Sequence, residues 1–124
     1  MVTKHGIEQT QLDVIVARDT DCVYCHKIMI YPYDTANRAD SATIEHLNHR
    51  ADWYSVQDFN SRKVPVYAII AICCGACNSS RGSKPLLEWF QKEYCTDRAI
   101  NPDTVSEVVR DYINVYESTN PIKV

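Results

Sequence analysis

The stretch Ile72-Cys73-Cys74-Gly75-Ala76-Cys77-Asn78-Ser79-Ser80-Arg81-Gly82-Ser83-Lys84 decides how this chain is read. It begins at the end of a β-branched apolar run, Val64 to Ile72, which contains Pro65. That run is too short for a comfortable helix and reads as a buried strand. Cys74-Gly75-Ala76-Cys77 then reads as a turn carrying two thiols, and Asn78 to Arg81 as the start of a helix that Gly82 ends. A matching pair, Cys22-Val23-Tyr24-Cys25, lies upstream, with 48 residues between the two pairs. Each C-x2-C pair can aim two thiolates at one tetrahedral Zn²⁺ at about 2.3 Å. A structural zinc held by Cys22, Cys25, Cys74 and Cys77 is therefore expected; the alternative is two buried or disulfide-bonded pairs. Cys73 should point away from Cys74 on the strand, and Cys95 reads as a core residue.

Working outward, residues 7–18 are compatible with a short helix through Ile7, Leu12, Ile15 and Val16. Asp19 to Lys27 reads as a tight turn, Ile28 to Tyr33 as a short extended piece, and Asp34 to Asp40 as a loop. Thr43-Ile44-Glu45-His46-Leu47 alternates with β-branched residues and reads as a strand. Residues 48–63 form the longest irregular stretch. Ser83 can cap a helix that tolerates Pro85 in its first turn and carries Leu86, Leu87, Trp89, Phe90 and Tyr94 on an apolar face. Val105, Val108, Val109, Tyr112, Ile113 and Tyr116 keep a helical period, so a C-terminal helix is expected over about residues 103–117.

The length of 124 residues implies one domain, and 45% hydrophobic with 23% charged residues fits a soluble globular protein. The longest apolar run falls short of the roughly 20 residues that a membrane span needs. The N-terminus opens no apolar signal region, which predicts a cytoplasmic protein whose thiols are metal ligands or core residues. Net charge is −3 overall, but residues 46–86 carry five Lys/Arg against two Asp/Glu. A basic middle third of that kind can attract phosphates within a Debye length of about 10 Å at 0.1 M salt.

Taken together, Cys22-x2-Cys25, Thr43-Ile44-Glu45-His46-Leu47 and the stretch from Ile72 to Lys84 resemble the HNH endonucleases, in the subgroup framed by a four-cysteine zinc site. The match covers roughly residues 20–90, and its most specific part is Cys-x2-Cys-Asn-x2-Arg-Gly-x-Lys. The resemblance implies an α+β fold with a ββα-metal (His-Me finger) core and flanking helices. It implies His46 as general base, and Glu45 and Asn78 as ligands of a catalytic Mg²⁺ or Mn²⁺. It also implies DNA as partner, with Arg81 and Lys84 in the matched string as candidate backbone contacts; on the inserted loop, His49, Arg50, Arg62 and Lys63 are further candidates, the alternative for all of them being a solvated charged surface. Small free-standing forms of the family suit phages, restriction systems and mobile elements.

Two departures stand out. Ile69 lies about where the family carries an Asn that braces the catalytic loop, with Asn48 and Asn60 as substitutes elsewhere, and position 45 is Glu where Asp is commoner. Adjacent strand residues also point to opposite faces, so Glu45 and His46 share a site only if the strand twists or bulges there. The expected function is metal-dependent hydrolysis of DNA phosphodiesters; the alternative is a non-catalytic zinc-ribbon module that binds nucleic acid or protein.

Overall fold

The computed structural model describes residues 7–48 and 66–117, leaving aside the side chain of Tyr116. The expectations for His49, Arg50, Asn60 and nearly all of the irregular stretch lie outside the described residues. Two strands, β1 (Ala42–His46) and β2 (Ile70–Cys74), pair antiparallel in an unbroken register from Ala42 opposite Cys74 to His46 opposite Ile70. The period of two sends Ala42, Ile44 and His46 to one face and Thr43 and Glu45 to the other.

A two-stranded pair is marginal in water unless something packs on it. Every residue of β2 is buried, and helix α1 (Gln9–Arg18) turns Leu12 and Ile15 inward against the same core. The end of α1 is tied to β2. Arg18 Nε and Nη2 donate to Asp19 Oδ1 and Oδ2 at 2.7 Å, and Arg18 also donates to the carbonyls of Tyr67 and Ile70 at 2.9 Å. Asp19 Oδ2 in turn accepts the amide of Ile72 at 3.0 Å.

The strand is shorter than the apolar run suggested. Val66–Ala68 is a 3-10 turn, closed by the Ile69 amide donating to Val66 O at 3.2 Å. Val66 and Ile69 are both buried, so the core demands their apolar character without placing them in the ladder.

Helix α2 (Gly75–Arg81) leaves β2 with no intervening loop. It starts three residues before the expected Asn78, so the second cysteine pair sits in its first turn. Gly75 permits this junction: its amide donates to Ser41 O at 3.0 Å, and a Cβ there would lie 2.0 Å from Arg38 O. Gly82 ends the helix at φ 56°, a left-handed conformation that favours glycine.

The helix expected from Ser83 is two short ones, α3 (Leu86–Trp89) and α4 (Glu93–Arg98). Pro85, rather than Ser83, precedes the first turn of α3, whose Leu86 and Leu87 amides donate to the Glu117 carboxylate at 3.0 Å each. Helix α5 (Glu107–Tyr112) continues as a π-helical turn over Ile113–Glu117. It starts later than residue 103 because Asn101 and Thr104 close a turn, with the Asn101 amide donating to Thr104 Oγ1 at 3.0 Å. Val105, Val109, Tyr112 and Ile113 are buried, as the helical period predicted. The fold is thus a small α+β arrangement. Among the described residues no helix is long and apolar enough to cross a membrane.

Candidate functional site

The four sulfurs of Cys22, Cys25, Cys74 and Cys77 lie within 4.8 Å of one another. The Sγ atoms of Cys25 and Cys74 are 3.8 Å apart, the spacing of about 3.8 Å that tetrahedral bonds of about 2.3 Å to one zinc ion require. All six cysteines are free, so the disulfide alternative falls.

The first pair is shaped by a tight loop. The Cys22 amide donates to Lys27 O and the His26 amide to Cys22 O, both at 2.9 Å, while His26 adopts φ 66°. The His26 ring meets Thr104 O, away from the sulfurs. The Cys74 amide donates to Cys22 Sγ at 3.3 Å, and the Tyr94 hydroxyl lies 3.3 Å from Cys77 Sγ. Hydrogen bonds from Cys22 and Cys77 hold the Cys74 thiol well below its usual range while the same contacts push Cys77 up, so the pair favours one thiolate. Burial instead pushes Cys73 well up and Cys95 up to about 12, which keeps both as thiols outside the cluster. The donor set is soft, compact and partly pre-ionised, and it fits zinc.

Beside this centre, α2 lies across β1. Asn78 and Arg81, three residues apart, share the helix face that meets the strand. Asn78 Nδ2 donates to Thr43 Oγ1 at 2.9 Å and to Ile44 O at 3.3 Å. One turn on, Arg81 Nη1 donates to Glu45 Oε2 and to His46 O, both at 3.0 Å. Its Nη2 donates to Leu47 O and its Nε to Lys84 O, both at 2.8 Å. Glu45 Oε2 also accepts the Tyr24 hydroxyl at 2.5 Å. Burial first, and then the Glu45 charge, raise the Tyr24 phenol well above its usual range, so it stays a donor.

Two sequence expectations are corrected by this geometry. Arg81 is 0% exposed, so it cannot touch a DNA phosphate; its fork holds the end of β1. Glu45 is 1% exposed, and its carboxylate faces Arg81 and Tyr24. The regular strand sends it to the face opposite His46, with no bulge to bring the two together. A Mg²⁺ or Mn²⁺ ion held jointly by Glu45 and Asn78 does not fit this arrangement. Lys84 is half-buried, with Nζ donating to Ser80 O at 3.1 Å. Ile69, where the resemblance leads us to expect an Asn, is fully buried in the core. His46 is half-buried on the Ile44 face of β1.

Sequence reasoning missed Tyr24 and Tyr94. Tyr24 sits inside the first cysteine pair, where attention goes to the thiols, and nothing local announces a carboxylate 21 residues away. No protein-family model, curated protein or solved structure matches the chain.

Proposed function

We propose that the chain is an HNH-type endonuclease that hydrolyses DNA phosphodiesters, with β1, β2 and α2 as its ββα-metal core and His46 as general base. The observation that carries this reading is the junction of β2 with α2: the helix leaves the four-cysteine cluster directly and lays Asn78 on β1, 2.9 Å from Thr43 and three residues along the strand from His46. A zinc ion at the cysteines would hold that junction fixed. A reducing, cytoplasmic setting suits such thiolates.

Phosphodiester hydrolysis needs water deprotonated near neutral pH, and imidazole, with an unperturbed pKa near 6.5, suits that step. His46 takes the proton; the His46 carbonyl, bound by Arg81, keeps the strand that carries the ring in place. Asn78, whose amide nitrogen is engaged by Thr43 and the Ile44 carbonyl, lines the cleft that Ile44 and Ile72 also line. A divalent ion would neutralise charge on the phosphate. Arg81 and Tyr24 already engage the Glu45 carboxylate, so it is not open to such an ion.

One alternative has specific support. The Glu45–Arg81 ion pair and the buried Ile69 both favour a non-catalytic zinc module that binds nucleic acid or protein. Incubation of the zinc-loaded protein with supercoiled plasmid, with and without Mg²⁺ or Mn²⁺, separates the two. Nicked or linear product supports the nuclease; binding with no cleavage under any divalent ion leaves the zinc module.

A further inference from the structure

Two clefts meet at Asn78. One, of about 500 Å³, has an aliphatic floor of Leu12, Val16, Ile44 and Ile72 and a rim of Tyr31, Pro32 and Tyr33. The other, of about 490 Å³, is lined by Arg38, Thr43, Gly75 and Ser79. Tyr33, Thr43 and Asn78 belong to both, so the two form one groove with an apolar, aromatic half and a polar, cationic half.

The rim is unusual for a folded surface: Tyr31 is 61% exposed and Tyr33 44%. Arg38 Nε donates to the Tyr33 hydroxyl at 3.1 Å, which orients the guanidinium over the polar half. Its two terminal nitrogens meet no partner among the described residues. The acids on the same turn are already engaged. Asp34 accepts from the Ala36 amide at 2.9 Å and from Asn37 Nδ2 at 2.8 Å, and Asp40 pairs with Lys27 at 2.9 Å.

We propose that this groove binds an unpaired nucleotide of a DNA strand, with its base against Tyr31 and Tyr33, its phosphate at Arg38, and Asn78 between them. The chemistry matches half for half. A base has flat apolar faces that stack on exposed aromatic rings, and its phosphate is an anion that a free guanidinium fork receives. A paired base hides its faces in the duplex, so the groove selects single-stranded or locally opened DNA. This rests on the reading of DNA as the substrate and names the form of DNA that the site takes.

Fluorescence anisotropy with a labelled single strand, and with the same sequence as a blunt duplex, tests it. Wild type should bind the single strand more tightly than the duplex. Tyr31→Ala and Tyr33→Ala should each weaken single-strand binding by about 5- to 150-fold, the range for losing one base–aromatic stack. Arg38→Ala should lower the slope of log affinity against log salt by about 0.7, one phosphate on a single strand. Tyr67→Ala, exposed on a different cavity beside Arg18 and Glu107, should change neither.

Equal affinity for both forms, no binding of either, or unchanged binding in both tyrosine variants would overturn the proposal. Failure of the nuclease reading shows up separately: single-strand binding lost in the tyrosine variants, with no cleavage by wild type, keeps the groove and removes the nuclease. Plasmid cleavage that survives both tyrosine variants unchanged does the reverse.

Discussion

Arg81 carries its charge where no solvent reaches, and four of its hydrogen bonds go to one carboxylate and three backbone carbonyls. Removing one partner of a buried ion pair leaves the other uncompensated, which costs about 3–5 kcal/mol. Arg81→Ala should lower stability by that order in urea unfolding, and any loss of DNA binding should follow the loss of fold. Arg81→Lys should fall between, because an ammonium keeps the charge but not the planar fork that spans Glu45, His46 and Leu47. Glu45→Ala should likewise destabilise, with no rescue by added Mn²⁺; rescue would restore Glu45 as a metal ligand. Strict alternation along Thr43 to Leu47 already placed Glu45 and His46 on opposite faces. What it could not give was the partner, because a buried acid is matched by residues 21 and 36 positions away, and only the folded chain brings these together.

Among the elements, the junction of β2 with α2 has the least slack. Gly75 approaches Arg38 so closely that a methyl group would lie 2.0 Å from its carbonyl oxygen, and backbone must move to admit it. Gly75→Ala should therefore destabilise by about 1–3 kcal/mol, the usual range for overpacking, despite the better helix propensity of alanine. A melting temperature equal to wild type would show that the contact is loose. Glu117 completes α3 from a distance by accepting the Leu86 and Leu87 amides, so Glu117→Ala should cost about 1 kcal/mol, as for a lost N-cap, read as a lower melting temperature. The sequence made β1, α1, the first cysteine turn and the pairing of the cysteines legible, because alternation, helical period and C-x2-C spacing are local signals, but it took the start of α2 at Gly75 for a turn. It misplaced the start of β2 because Val66 and Ile69 are apolar for the core while lying outside the ladder. It merged α3 with α4 because Trp89, Phe90 and Tyr94 keep an apolar face across the break, where Trp89 and Tyr94 stack with centroids 6.0 Å apart.

At the scale of the whole molecule, the cysteine cluster joins the first turn after α1 to the end of the sheet and the start of α2. Metal binding is coupled to folding in such an arrangement. The purified protein should hold one zinc per chain, and Cys25→Ser should lower zinc content and melting temperature together. Full folding without metal would contradict this. The Ser106 amide, donating to Val23 O at 2.9 Å, ties the start of α5 to the same turn, so loss of zinc should loosen the C-terminal helix as well. Function turns on His46, which lies outside the cysteine cluster and on the strand face opposite Glu45. The most direct measurement is plasmid cleavage by wild type and His46→Ala side by side, with zinc content, melting temperature and DNA affinity matched. The account predicts cleavage by wild type and a loss of about 10²–10⁴ in rate for His46→Ala, the usual worth of a general base. Equal cleavage by the two proteins, or none by wild type with any divalent ion, would contradict it.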